Sequence, residues 1–284
     1  MKNAIALLIL LLSVFTGNVN AKEKPQSLLW KVTGKGLTTP SYLFGTIHMI
    51  CEDNYLFREK VTRAFTGSEK LYFEISYDDP AELAEMQKGM ASTGSWIKDL
   101  TPEKKARLEK SLKDYYGMTL EQADKLSPAM MISYLSYKSA GCTKLKSYEL
   151  ELTKLAKKQS KPMGGLEKVA DQMGAIRTSY TPDELVSQLS LTPEYTALIA
   201  NAQQAYKQEE LEKVAGLLND PRFMSTEIKK TALDGRNRKW AERIPDLMQQ
   251  SSSFFAVGAA HLAGKNGLIQ LLRKKGYTVN PVLE

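Results

Sequence analysis

Histidine is scarce in this chain of 284 residues, which holds only two. Both close a tetrapeptide that begins with glycine: His48 in Gly45-Thr46-Ile47-His48 and His261 in Gly258-Ala259-Ala260-His261. Each stands at the end of an apolar run, YLFGTIH and FFAVGAAH, that reads as a buried strand. Glycine at such a place lets the backbone bend or another group come close. The histidine then projects past the carboxyl end of its strand, the edge at which open α/β sheets hold ligands. One histidine so placed reads more readily as an imidazole tied to backbone groups; the matched pair points to a shared site.

Glu74 is the natural third member. In LYFEIS it breaks an apolar run and falls at a strand end, and a buried carboxylate must be paired or coordinate a cation. Two histidines and one carboxylate form a ligand set used by zinc hydrolases and by manganese or iron enzymes, with positions left open for water. The plainer reading makes Glu74 the salt-bridge partner of an arginine. Glu167 in GGLEKVADQ and Arg236-Asn237 in LDGRNRKW stand out less, because an acid opening a helix is often only a helix-start charge and Arg236 lies in a polar run.

The elements that must position these residues follow from periodicity and punctuation. Residues 27–49 read as a hairpin, LLWKV and SYLFGTIHM around the turn GKGLTTP, and residues 54–66 as a helix. LYFEIS is a compact strand. Residues 80–159 read as helical, with breaks near Gly94, Gly117, Pro128 and Gly141; residues 161–167 form a strand running into a helix at 168–177. Further helices fill 182–218 and 226–250 before the strand SSSFFAVGAAHL, a helix at 264–275 and the closing strand YTVNPV. This order predicts an α/β fold. Its mixed central sheet is built from strands near both termini, with a large helical insertion at about residues 80–160 and more helices at about 182–250.

Residues 1–21 carry Lys2, an apolar run over 4–15, and the small side chains Val19 and Ala21, the order of a secretory signal peptide. Twelve apolar residues fall short of the roughly 20 that span a bilayer as a helix. The expected product is a single domain, residues 22–284, exported to the periplasm or outside the cell and not an integral membrane protein after cleavage. Cys51 and Cys142 read as one disulfide in an oxidising compartment, or as two buried thiols. The formal charge of +7 comes from interleaved lysines and acids without an arginine-aromatic stripe, so no nucleic-acid partner is expected. There is no GxSxG elbow.

Taken together, YLFGTIH, a strand ending in glutamate, GLEKVADQ, RN before a helix and FFAVGAAHLAGKNGLIQLLRKKGYTVNPV resemble the TraB/GumN family, from about residue 28 to 282. That family includes the animal Tiki metal-dependent proteases and is grouped with erythromycin esterases and haem-binding ChaN-like lipoproteins. The resemblance implies a hydrolase centre on His48, Glu74, His261 and Arg236, with Glu167 and Asn237 beside them. On this reading His48, Glu74 and His261 hold one divalent ion, manganese, cobalt or zinc, whose water becomes hydroxide near neutral pH and attacks a peptide or ester carbonyl. Arg236 would stabilise the oxyanion and Glu167 pass a proton to the leaving group. Two rivals stand beside it: a metal-free esterase-like hydrolase with a histidine general base oriented by Glu74, and a haem or small-ligand binding protein without turnover.

Overall fold

Four parallel strands end at one edge, and that edge positions His48, Glu74, Glu167 and His261. The computed structural model describes residues 26–284, so the expected signal peptide lies outside the described residues. Along the chain the strands are β1 (Leu29–Thr33), β2 (Ser41–Thr46), β3 (Ile50–Cys51), β4 (Lys70–Phe73), β5 (Leu145–Lys146), β6 (Met163–Gly165), β7 (Ser253–Gly258) and β8 (Thr278–Pro281). Six of them form one sheet in the order β6-β4-β7-β2-β1-β8. β6, β4, β7 and β2 run parallel. β1 is antiparallel to both β2 and β8. The sheet is therefore mixed and built from both ends of the chain, as the pattern predicts.

The central strands are apolar on both faces because helices cover both sides of a parallel sheet. Leu43 and Phe44 of β2, Leu71 to Phe73 of β4 and Phe254 to Val257 of β7 are all buried. Phe254 lies between Phe44, at 5.8 Å between ring centroids, and Phe65 of the helix Glu59–Gly67, at 5.7 Å. The predicted hairpin is β1 with β2, in a register that sets Leu29 against Phe44.

Buried apolar residues fall into two clusters. One joins the sheet to the helices around it. The other gathers Trp96, Leu108, Leu112, Met131 and Leu135 with Leu185 and Leu189 of the helix Pro182–Ser190, forming a helical lobe. The stretch expected to be wholly helical, residues 80–159, also contains β5, which pairs with β3 in a separate two-stranded ladder. Its last helix, Tyr148–Lys158, lays Tyr148, Leu152 and Ala156 against the sheet at a four-residue spacing. Cys51 and Cys142 are disulfide-bonded, which ties β3 to the lobe. Among the described residues no helix is long and apolar enough to cross a membrane.

Candidate active site

Each parallel strand delivers one side chain at or just past its carboxyl end. His48 lies two residues beyond β2, Glu74 one beyond β4, Glu167 two beyond β6 and His261 three beyond β7. Since β6, β4, β7 and β2 are neighbours, four residues spread over more than two hundred positions meet at one edge. Arg236 and Asn237 reach the same place from the helix Arg236–Gln250. A π-helical segment, Lys229–Gly235, leads directly into that helix. Its wider turn shifts the helical phase immediately before the two residues.

Both imidazoles turn Nε2 toward one carboxylate oxygen. His48 Nε2 lies 3.9 Å and His261 Nε2 3.7 Å from Glu74 Oε1. Their far nitrogens are taken. His48 Nδ1 donates to Glu149 Oε1 at 3.0 Å, an ionised acceptor. His261 Nδ1 donates to Asn237 Oδ1 at 2.6 Å, the orientation in which Asn237 Nδ2 donates to Asn266 O. With a proton on each Nδ1, His261 Nε2 is left to accept from Arg236 Nη1 at 3.3 Å, while His48 Nε2, on the exposed side, faces Glu74. Trp240 packs on the His261 ring with centroids 4.5 Å apart and holds its plane.

The glycine of GAAH explains why this convergence fits. A Cβ on Gly258 would stand 3.3 Å from Glu74 Oε1, 3.5 Å from His261 Cδ2 and 3.6 Å from His48 Nε2. The missing side chain is the space the three groups share, and Gly258 N–H donates to Glu74 Oε1 at 2.8 Å.

Arg236 closes the other side. Its Nη2 donates to Glu74 Oε2 at 2.6 Å and its Nε to Glu167 Oε1 at 2.8 Å, while Nη1 lies 3.3 Å from His261 Nε2. Glu74 is thus the partner of an arginine, as its plainer reading held, and faces the histidines as well. Glu167 is no exposed helix-start charge; it is buried against the same guanidinium. Gln172 Nε2 donates to both carboxylates, at 3.2 and 3.3 Å.

These contacts set the protonation states. Burial works against charge on Glu74, but Arg236 and the two histidines hold its carboxyl far below the usual range. Burial lifts Glu167 above its ordinary value despite Arg236. Desolvation opposes a charged His48, yet Glu149 and then Glu74 outweigh it and raise the ring to about 9. Desolvation takes His261 the other way, to about 3. The two rings also differ in access, with 58 % of the His48 side chain exposed against 7 % for His261.

Donor chemistry here suits a divalent ion. Two imidazole Nε2 atoms face one carboxylate oxygen, each ring is anchored through its other nitrogen, and Gly258 leaves room between them; an ion there would take the place of the proton on His48 Nε2 and of the Arg236 contact at His261 Nε2. Arg236 meets Glu74 and Glu167, while the buried Glu149 is answered by His48 on the other side of the site. As they stand, however, the side chains do not close a shell. Among the described residues no three His, Cys, Asp or Glu groups are near enough together to hold an ion, and Arg236 occupies one oxygen of Glu74.

Sequence reasoning missed Glu149. It is buried, accepts from Thr46 Oγ1 at 2.6 Å and from Ser147 Oγ at 2.8 Å, and anchors His48. At the start of a helix it resembles an ordinary first-turn acid. The available signal was its phase: Tyr148, Glu149, Leu152, Thr153 and Ala156 form one buried stripe, and a carboxylate on such a stripe needs a partner.

A sequence model of the TraB/PrgY/gumN family matches residues 28–281. Curated relatives include Metalloprotease TIKI2 of Danio rerio, 23 % identical over 91 % of this chain and 61 % of its own length. Metalloprotease TIKI2 of Xenopus tropicalis is 25 % identical over 93 % of the chain and 61 % of its own. Metalloprotease TIKI1 of Homo sapiens is 24 % identical over 93 % and 64 %. The chain therefore spans about three fifths of the length of these relatives. No solved structure matches it.

Proposed function

The chain belongs to the TraB/PrgY/gumN family, and from that premise we propose that it is an exported, metal-dependent hydrolase of peptide or ester bonds. Distant relatives named metalloproteases support hydrolysis as the reaction class. The single observation that carries the reading is the convergence of His48 Nε2 and His261 Nε2 on Glu74 Oε1, each ring held by an acceptor on its far side.

His48, His261 and Glu74 would hold the ion, with manganese, cobalt and zinc all suited to two nitrogens and one oxygen. When bound, the ion supplies Lewis acidity toward a carbonyl and acidifies water. Glu149 and Asn237 keep the histidine protons on Nδ1, so that Nε2 faces the reacting centre. Arg236 Nη1, beside His261 Nε2, is the donor placed to meet an oxyanion. Glu167, whose carboxyl burial holds above its ordinary value, can retain a proton and give it to a leaving group.

Metal analysis of the protein purified without a histidine tag tests this, against His48→Ala and His261→Ala. Stoichiometric metal lost in both variants is expected; undiminished metal in both rejects the ligand assignment. The Arg236 contact at His261 Nε2 favours a second reading, in which the site hydrolyses without metal and a histidine is general base. Activity that survives exhaustive chelation selects it.

A further inference from the structure

The edge strand β6 has its outer side free. Within the sheet it pairs only with β4. Leu71 N–H donates to Pro162 O and Leu166 N–H to Phe73 O, so in the parallel register of Leu71 with Met163 and Phe73 with Gly165 the groups of Gly164 point inward. The N–H and C=O of Met163 and Gly165 point outward, and among the described residues they have no hydrogen-bond partner. Natural edges are blunted by charged side chains, bulges or covering segments; this one presents two glycines, Gly164 and Gly165.

A cleft of about 350 Å³ lies beside this edge, lined by the β6 residues, by Ser76, Asp78, Asp79 and Glu82 after β4, and by Glu167, Lys168 and Arg243. The edge therefore borders the candidate active site at Glu167. A Cβ on Gly165 would stand 2.7 Å from Ser76 N, so glycine is what lets the segment after β4 close against β6 and form the cleft.

We propose that this edge receives substrate as an extended peptide segment, which adds to the sheet as a further strand through Met163 and Gly165 and enters the site past Glu167. The chemistry selects the occupant. Outward donors and acceptors repeat at every second residue, a pattern that only another extended backbone matches. A small ester would leave them unused. The inference names the substrate class for the hydrolase reading and rests on it for turnover, but not for binding.

The test uses wild-type protein in a chelator, so that binding is read without hydrolysis. Peptides selected from a random decapeptide library are resynthesised and scanned by single backbone N-methylation. Sensitivity at alternate residues is expected, with losses of about tenfold or more, together with slowed amide exchange at Met163 and Gly165 and no change at Gly164. Absence of binding at about 1 mM peptide, loss without a two-residue period, or unchanged exchange at both amides overturns the proposal. Slowed exchange without peptide that rises with protein concentration would assign the edge to a second copy of the chain and overturn it too. Periodic binding with no cleavage under manganese, cobalt or zinc would uphold the edge and sink the hydrolase reading alone.

Discussion

His48 Nδ1 lies 3.0 Å from Glu149 Oε1, although 101 residues separate them in the chain. The contact fixes the imidazole proton away from Glu74, and partners of this kind are worth about 10- to 100-fold in metal affinity or activity. Glu149→Ala is therefore expected to weaken metal binding or turnover by that factor with His48 still in place. Glu149→Gln, which keeps an acceptor oxygen, should lose less. Equal activity in all three proteins would remove Glu149 from the site.

Gly258→Ala tests the shared space. Its backbone, at φ −52° and ψ 135°, admits alanine, so folding should survive with a melting temperature within a few degrees of the parent. The new methyl meets Glu74 Oε1 at 3.3 Å. A fall in metal affinity or activity of about tenfold, roughly 1.4 kcal/mol, is expected from the displaced carboxylate. Undisturbed binding would show that the three groups do not act together.

The Cys51–Cys142 bond closes a sequence separation of 91 residues. Replacing both cysteines by serine should cost about 2–5 kcal/mol in urea denaturation. Because Cys51 follows His48 by three residues, the loosened β3 loop should lower activity more than distant destabilisation of equal size. A denaturation midpoint unmoved by the double change would contradict the structural role.

Asp220 makes a pH-dependent contribution away from the site. Its carboxylate accepts from Arg222 Nε at 2.9 Å, from Arg222 Nη2 at 2.7 Å and from the Arg222 N–H at 3.0 Å. The side-chain bond to Arg222 is the main reason that its pKa falls from 3.8 to about 2. A depressed folded pKa means that the stabilisation is fully present above about 3.8 and is lost as pH falls toward 2. Asp220→Asn should cost about 1 kcal/mol at neutral pH and converge with the parent near pH 2. Curves that stay parallel over that range would exclude the linkage.

Much of the scaffold was legible because its signals are local. The strand runs around His48, Glu74 and His261 alternate sharply with glycine, proline and polar breaks, and a buried strand leaves that trace within six or seven residues. The helical lobe was less so. Helical periodicity does not record which core a helix joins, so the helix Tyr148–Lys158 read as part of an insertion, while its apolar stripe packs on the sheet. Glu149 was hidden by the same ambiguity, since a first-turn acid carries one local signature whether it faces water or a histidine.

The sequence by itself determined which side chains follow strand ends, and that glycine precedes each histidine by three. Those are properties of short segments, set by backbone sterics and hydrophobic pattern. Tertiary structure alone decided that the four strands are parallel neighbours, so that their ends coincide. It alone decided that the Arg236 guanidinium grips Glu74 and Glu167, and that Glu149 and Asn237 orient the rings. Strand order and long-range pairing depend on packing between segments far apart in the chain, and no local period encodes a partner a hundred residues away.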